Sequence, residues 1–158
     1  ISKLRQKGHN LHLHILGKDV DKGYVKYLKQ NYQGDSNWFF TEGLVLGKEK
    51  LRFLAEHKFG ISGQQNEAFG IAVAEMVKSG AIVWVPNSGG QVEVVNHPGL
   101  VYDNLDDAVI KIEKVLNDQN SQLDLINYFV KENERFSSRE FKDRIKRVVR
   151  DFFAGKPA

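Results

Sequence analysis

Short apolar runs alternate with segments of helical periodicity between residues 11 and 102, and this alternation restricts the fold more than any other feature. The clearest run, residues 81–85, is rich in β-branched and aromatic side chains and stops at Pro86, as expected of a buried strand. Before it, residues 69–79 have helical apolar spacing and close on Gly80, the residue type favoured just after a helix. Strands that alternate with such helices predict right-handed β-α-β units.

The other elements follow from the same two periodicities. Strands are predicted at residues 11–16, 38–41, 57–62 and 100–102. Helices are predicted at residues 24–32 (with Asp19 and Asp21 near the start), 48–56, 105–116, 123–130 and 138–153. We therefore expect an α/β domain with a Rossmann-like parallel sheet, helices on both of its faces, and a helical C-terminal tail over residues 104–153.

The composition is that of one folded domain, so residues 1–158 are predicted to form a single unit. A chain of 158 residues with 41% hydrophobic side chains can bury a core of ordinary size. It has no cysteine, which excludes disulfides, thiolate metal sites and a cysteine nucleophile. Its net charge of +3 lacks the dense basicity of a dedicated nucleic-acid binder, so no nucleic-acid partner is expected.

The segment of residues 66–71 carries the clearest chemical signal, because it joins a predicted strand to a predicted helix. Gly70 in the first helical turn is unfavourable by about 1 kcal/mol relative to alanine, which is explained if a ligand approaches the backbone closely. The N–H groups of Phe69, Gly70 and Ile71 would form an anion site at the start of the helix. Considered alone, Glu67 is a carboxylate favoured by the helix dipole, and Glu75 is a solvated surface residue.

The wider motif resembles a known family. Two glutamates are separated by seven residues, Glu67 and Glu75, within the sequence NEAFGIAVAEMVKSG of residues 66–80. The strand of residues 81–85 follows, and then NSGGQVEVV at residues 87–95. This pattern is similar to that of the retaining glycosyltransferases of family 4, also called group 1 glycosyl transferases, which have the GT-B fold. The motif order also matches from residues 11–17 and 37–43 to Phe136, over almost the whole chain.

The resemblance implies that this is the C-terminal half of a GT-B enzyme, which holds a nucleotide-sugar donor such as a GDP- or UDP-hexose. By that resemblance Glu67 would bind hydroxyls of the transferred sugar, and Glu75 the ribose hydroxyls. The N–H groups of residues 69–71 would meet the sugar or its diphosphate. Residues 41–45 would lie near the base, and Ser88, Gly89 and Gly90 near the donor pocket. Neither a metal nor another cofactor is implied.

Two departures from the family pattern concern specificity and completeness. Gly63 and Gln64 stand where many members have Pro-Ser ahead of the first glutamate, which affects the expected sugar and acceptor more than the family. In the family an Arg and a Lys that clamp the diphosphate precede the strand matched by residues 11–16. Arg5 and Lys7 are interpreted instead as the end of a helix. A first strand and helix, and the acceptor-binding N-terminal half, are therefore expected to be missing, and the Ile1 start suggests a fragment.

Two other features have competing interpretations. His9, His12 and His14 invite a metal site, but no carboxylate or cysteine pattern accompanies them, so packed or edge histidines are preferred. The basic helix of residues 138–153 could contact nucleic-acid phosphates or an anionic membrane surface. Its apolar series favours an amphipathic helix that packs on a core, with Phe152 and Phe153 exposed if the N-terminal half is missing.

Three hypotheses on function remain at this point. The chain is the donor-binding domain of a retaining hexosyltransferase, a non-catalytic module that binds a nucleotide or sugar phosphate, or a protein-interaction domain with a basic helix. The first is preferred. The absence of cysteine fits a reducing compartment, so a cytoplasmic location is expected, with peripheral association at the cytosolic membrane face as the alternative.

Overall fold

Parallel strands form two small sheets in the computed structural model, which describes residues 1–18, 21–33 and 38–155. Strands β1 (Leu13–Leu16) and β2 (Phe39–Gly43) form one sheet. Strands β3 (Phe59–Ile61), β4 (Ile82–Pro86) and β5 (Val101–Tyr102) form the other, with β4 in the centre. The parallel pairing confirms the α/β class that the alternating pattern predicts.

Helices flank these sheets and make up the C-terminal part. They are α1 (Ser2–Gln6), α2 (Lys22–Leu28), α3 (Gly47–Ala55), α4 (Ile71–Lys78), α5 (Gln91–Val95), α6 (Leu105–Leu116), α7 (Gln119–Glu132) and α8 (Ser138–Phe153). Shorter turns of π-helix (Lys29–Gln33) and 3-10 helix (Pro98–Leu100 and Asn133–Phe136) continue or join them. None of the helices in the described part of the chain is long and apolar enough to cross a bilayer.

Polar side chains fix several helix starts. The Asp21 carboxylate accepts a hydrogen bond from the Tyr24 N–H at 2.9 Å and caps α2. The Asn104 side chain accepts the N–H groups of Asp106 and Asp107 at 3.0 Å and caps α6. Because the first N–H groups of a helix have no partner within it, such caps typically stabilise a helix by about 1 kcal/mol.

The core is centred on β4, since every residue of this strand is buried. Helices α4 and α5 contact β4, and α6 contacts β5. The buried apolar residues that form this core include Leu4, Val73, Val77, Ile82, Val83, Trp84, Val85, Val94, Leu100, Ile112 and Phe129. A strand that is covered on both sides has a continuous apolar sequence, which explains why residues 81–85 gave the clearest strand pattern.

Most element boundaries differ slightly from the predicted ones, for identifiable reasons. Helix α4 begins at Ile71, two residues later than predicted, because Gly70 has a left-handed φ of 92° and stands outside the helix as its N-cap. Pro86 is the last residue of β4 rather than a stop beyond it. Asp19, predicted near the start of a helix, and Asn37, the first residue of the motif segment 37–43, lie outside the described residues.

The interpretation of α8 as a helix packed on a core is wrong for this chain. None of its residues is buried, and its apolar side chains are exposed, including Phe152 at 76% and Phe153 at 82%. The helix keeps the strong amphipathic pattern seen in the sequence, with ion pairs such as Arg144–Glu140 at 2.8 Å along its polar side.

Helix α1 is fastened to α6 by one buried side chain and two ion pairs. Leu4 is fully buried in the core. The Lys3 ammonium lies 2.6 Å from the Asp106 carboxylate, and Lys7 pairs with Glu113. These hydrogen-bonded lysines hold the pKa of each carboxyl group below its ordinary value. Arg5 donates to the Leu11 carbonyl, and so the cations of α1 are all engaged within the fold.

We expect the two α1 ion pairs to contribute stability that is lost in acid. A carboxyl group whose pKa is lowered by folding binds fewer protons in the native state, so its contribution is present above the unfolded pKa and disappears as pH falls through the folded pKa. When the pH is lowered below about 4.5, the free energy of unfolding of the Lys3→Met, Lys7→Met double variant should therefore fall less than that of the parent chain. Urea unfolding at a series of pH values measures this difference, and equal pH dependence in both chains would contradict it.

Candidate functional site

Two loops meet at the carboxyl ends of β3 and β4, where parallel α/β sheets bind their ligands. The β3–α4 loop comprises residues 62–70, and the β4–α5 loop residues 87–90. Gly89 and Gly90 bring the second loop against the backbone of the first. The Gly90 N–H donates to the Glu67 carbonyl oxygen at 2.8 Å.

Neither glycine of the β4–α5 loop could carry a side chain in this conformation. A Cβ on Gly89 would lie 2.2 Å from the Glu67 carbonyl oxygen, and Gly89 has a φ of 70°. A Cβ on Gly90 would lie 2.3 Å from the Ala68 carbonyl oxygen. Gly89 and Gly90 therefore allow the β4–α5 loop to hold the backbone of Glu67 in position, while their predicted place near the donor pocket stays a prediction.

Side-chain hydrogen bonds complete the link between the loops. The Ser88 hydroxyl accepts from the Asn66 N–H at 2.8 Å and donates to the Asn66 side-chain oxygen at 2.9 Å. Asn66 has a left-handed φ of 54°, which asparagine tolerates better than most residues. Ser88 thus acts here on the loop that precedes Glu67.

Gln91 is the other link, and sequence reasoning missed it. Its side chain is fully buried and donates to the Gln64 carbonyl at 2.6 Å and to the Ser88 carbonyl at 3.1 Å. A Cβ on Gly70 would lie 2.9 Å from the Gln91 Cβ, so the glycine is needed for close packing as well as for its positive φ. A glutamine after Gly-Gly has no sequence signal for burial, because glutamine is usually exposed.

Glu67 lies on a loop whose backbone is held in place, but its carboxylate does not help to hold the fold together. Its carboxylate is half-buried and has no hydrogen-bond or ion-pair partner among residues 1–18, 21–33 and 38–155. A partly buried carboxylate without a partner is available to accept hydrogen bonds from a ligand hydroxyl. The structure thus places this predicted site residue on the fixed part of the β3–α4 loop.

Unpaired N–H groups lie next to Glu67 at the start of α4. Helix α4 has no side-chain cap, and the first bond of its ladder runs from the Ala74 N–H to the Gly70 carbonyl at 2.9 Å. The N–H groups of residues 69–73 have no acceptor within the described chain. The unpaired N–H groups thus include those of Phe69, Gly70 and Ile71, where an anion site is predicted, and also those of Ala72 and Val73, because the helix begins at Ile71.

Glu75 forms an ion pair that its sequence position does not reveal. Its Oε2 atom lies 2.7 Å from the Lys50 ammonium on α3, and about two thirds of each side chain is buried. The second carboxylate oxygen, Oε1, has no partner in the part of the chain described. The pattern of Glu75 alone suggested a solvated residue, whereas α3 and α4 pack so that Lys50 fixes the carboxylate.

A cavity of about 860 Å³ opens beside this pair, and it is lined mainly by apolar groups of β1, β3, α3 and α4. Leu44, Val45 and Leu46, which follow β2, also line it. Leu44 and Val45, the last two residues of the segment 41–45 expected near a nucleotide base, therefore share a cavity wall with Glu75. Glu67 and the β4–α5 loop do not line this cavity.

The histidines near β1 pack against rings. His14 stacks on Phe40 with centroids 4.7 Å apart, and its Nδ1 lies 2.7 Å from the Glu42 carboxylate. His12 lies 5.9 Å from the same ring, and His9 contacts Glu113. Over the described residues, no group of three or more His, Asp or Glu side chains comes close enough together to hold a metal ion.

Comparisons with known proteins agree with the motif. The family model described as glycosyl transferases group 1 matches residues 1–132. A GDP-Man:Man(3)GlcNAc(2)-PP-Dol alpha-1,2-mannosyltransferase of Candida glabrata is 35% identical over 105 residues, which cover 57% of this chain. The chain spans 19% of the length of that relative. Because the family model covers most of the chain, including both glutamates and both loops, the chain belongs to the glycosyl transferases group 1 family.

Proposed function

We propose that this chain is the donor-binding domain of a retaining hexosyltransferase that uses a nucleotide sugar. The proposal rests on two kinds of group without hydrogen-bond partners that lie close together in the sequence, one an acceptor and the other a set of donors. The Glu67 carboxylate and the N–H groups at the start of α4 have no partners in the described residues, yet Gly89 and Gly90 hold that loop rigidly. A fixed acceptor next to fixed donors suits a ligand that has both hydroxyls and an anion, as a sugar diphosphate does.

Transfer of a hexose from a nucleotide sugar requires hydrogen-bond donors for the diphosphate and an acceptor for the sugar hydroxyls. The bond between the anomeric carbon and the diphosphate oxygen breaks, and the electron pair leaves with the nucleoside diphosphate. The acceptor hydroxyl oxygen bonds to the same carbon on the same face, and its proton passes to the departing diphosphate. The N–H groups of α4 would stabilise the negative charge that develops on the diphosphate, while Glu67 would orient the sugar.

Glu75 is proposed to bind the ribose hydroxyls. Its carboxylate is oriented by Lys50 and keeps Oε1 available, and a carboxylate is a suitable acceptor for two neighbouring hydroxyls. Residues 44–46 would provide apolar contact for the base from the same cavity wall. The Candida glabrata relative is named as a GDP-Man-dependent mannosyltransferase, so GDP-mannose is the first donor to test and a UDP-hexose the second.

Glu75→Gln should weaken binding of GDP to this chain by about tenfold to one-hundredfold, because a charged hydrogen bond contributes about 1.5–3 kcal/mol. Isothermal titration calorimetry measures the change. Glu49→Gln on α3 is the matched control, since it removes one exposed carboxylate that has no partner in the described residues. Equal GDP affinity of the Glu75→Gln variant and the parent chain would contradict the role of Glu75.

The same titration distinguishes a non-catalytic binding module. In a donor-binding domain, GDP-mannose should bind more tightly than GDP, and Glu67→Gln should abolish that difference while leaving the affinity for GDP unchanged. A module that recognises only the nucleotide would bind both ligands equally in the parent chain. For the whole enzyme, we also propose an acceptor-binding half and peripheral contact with a membrane.

A further inference from the structure

Side chains that are distant in sequence hold the backbone of the β3–α4 loop. The Tyr102 hydroxyl, at the end of β5, donates to the Ser62 carbonyl at 2.5 Å. Two residues further along the loop, the Gln91 amide donates to the Gln64 carbonyl at 2.6 Å. A Cβ on Gly63, between these two residues, would meet no atom within 4 Å, so close packing does not restrain the loop at this point. The hydrogen bonds on either side of it therefore set the path of the chain.

Gln91 contacts more of this region than any single bond suggests. Its Nε2 atom also donates to the Ser88 carbonyl of the β4–α5 loop at 3.1 Å. At the other end of the β3–α4 loop, a Cβ on Gly70 would lie 2.9 Å from the Gln91 Cβ and 3.2 Å from its Cα. One residue thus joins the two loops and contacts the longer loop near both of its ends.

The orientation of the Gln91 amide follows from its contacts. Its nitrogen carries two hydrogens, and the two carbonyl oxygens accept both of them. The reversed amide would set Oε1 against the same two acceptors, which excludes that assignment. In the present orientation Oε1 is buried and has no partner in the described residues. Because a buried acceptor without a partner is unfavourable, stability of the fold does not by itself account for a glutamine at this position.

The contacts of Gln91 lie on both sides of the proposed sugar contact. Gln64 precedes Glu67 by three residues, and Gly70 follows it by three. The Gln91 side chain is fully buried, so it offers no surface to a ligand. Any effect of Gln91 on binding must therefore act through the position of the two loops.

We propose that Gln91 is a positioning residue for the sugar of the donor, a role that rests on the proposed function. Its two hydrogen bonds fix the Glu67 carboxylate relative to the N–H groups at the start of α4. A sugar diphosphate that contacts both groups binds best when their separation is already correct in the free protein. Glu75 lies within α4 and not on the loop, so the nucleotide contact does not depend on Gln91.

Gln91→Met tests this role, because methionine has a similar length but cannot donate to a carbonyl. We expect the affinity for GDP-mannose to fall by about tenfold and the affinity for GDP by less than about threefold, measured by isothermal titration calorimetry. Gln122→Met is the matched control. Gln122 is also buried, and its Nε2 donates to the carbonyls of Val115 at 2.7 Å and Leu116 at 3.2 Å, at the end of α6. The control should leave both affinities unchanged.

Amide hydrogen exchange without ligand gives a second readout. The Gly90 N–H, which donates to the Glu67 carbonyl, should exchange at least about tenfold faster in Gln91→Met and at the parent rate in Gln122→Met. The amides of residues 82–85 in β4 should stay protected, which shows that the variant is folded. If they do not, Gln91→Asn replaces it with the same expected results, since a side chain one methylene shorter cannot reach both carbonyls.

The results separate the role of Gln91 from the proposed function. Support requires faster Gly90 exchange and loss of the preference for GDP-mannose over GDP in the Gln91 variant, with no further loss when Glu67→Gln is added. A Gln91 variant that keeps the preference, or that exchanges Gly90 at the parent rate, overturns the role of Gln91. An equal loss of preference in Gln122→Met does so too. A parent chain that binds GDP-mannose no more tightly than GDP contradicts the proposed function, and the role of Gln91 falls with it.

Discussion

Replacing Gly89 by alanine is expected to lower the free energy of unfolding by about 3 kcal/mol and to abolish donor binding. The new Cβ would lie 2.2 Å from the Glu67 carbonyl oxygen and 2.8 Å from the Glu67 nitrogen. Both atoms belong to the backbone, so no flexible side chain can move to relieve the collision. The β3–α4 loop must shift as a whole, and it carries the proposed sugar contact. Urea unfolding and calorimetric titration with GDP-mannose measure the two effects.

Gly43→Ala is a close control for this substitution. Gly43 has a φ of 69°, against 70° for Gly89, but a Cβ on Gly43 would meet no atom within 4 Å. Alanine at position 43 therefore introduces the same left-handed strain, about 1 kcal/mol, without the collision. The difference between the two variants isolates the contact between the loops. If both variants lost the same stability, the proposed tight contact at Gly89 would be contradicted.

Replacing Glu67 by glutamine is expected to lower the rate of sugar transfer by about one-hundredfold to one-thousandfold in the whole enzyme proposed above. A neutral amide keeps the size of the side chain but removes the charge that would orient the sugar hydroxyls. The stability of the chain should change by less than about 0.5 kcal/mol, because the carboxylate has no partner in the described residues. A transfer assay with GDP-mannose and urea unfolding measure the two quantities.

Glu93→Gln is the matched control for Glu67→Gln. Glu93 is an exposed glutamate on α5 whose carboxylate has no partner in the described part of the chain, and it lies outside both loops. Its substitution should leave both transfer rate and stability unchanged. A Glu67→Gln variant that lost several kcal/mol of stability would show that the residue supports the fold. One that retained full transfer activity would remove Glu67 from the site.

The fold class could be predicted because it depends on local periodicity. Strand β4 is covered on both sides and has a continuous apolar sequence, and α6 has an amphipathic pattern that begins after the Asn104 cap. The predicted start of α4 is two residues too early, because the sequence pattern fits Gly70 both as a residue of the helix and as a left-handed N-cap. Only the three-dimensional position of Gln91 against Gly70 decides between them.

The site could be predicted only in part, since its contacts join residues that are distant in sequence. The pair of Lys50 and Glu75 depends on how α3 packs against α4, and no local pattern indicates it. Ser88 and Asn66 are joined across 22 residues. Glu67 was identified from the family resemblance, whereas the absence of a partner for its carboxylate is visible only in the structure. The prediction that α8 packs on a core is wrong because an amphipathic pattern does not specify what covers its apolar face.

We infer that the β3–α4 loop and the start of α4 bind a nucleoside diphosphate sugar. Amide NMR of this chain during titration with GDP, UDP and ADP tests it most directly. We expect saturable shifts at residues 69–75 and at Gly89 and Gly90 with GDP or UDP, and smaller shifts elsewhere. Titrations in which none of the three nucleotides shifts residues 69–75 would contradict it.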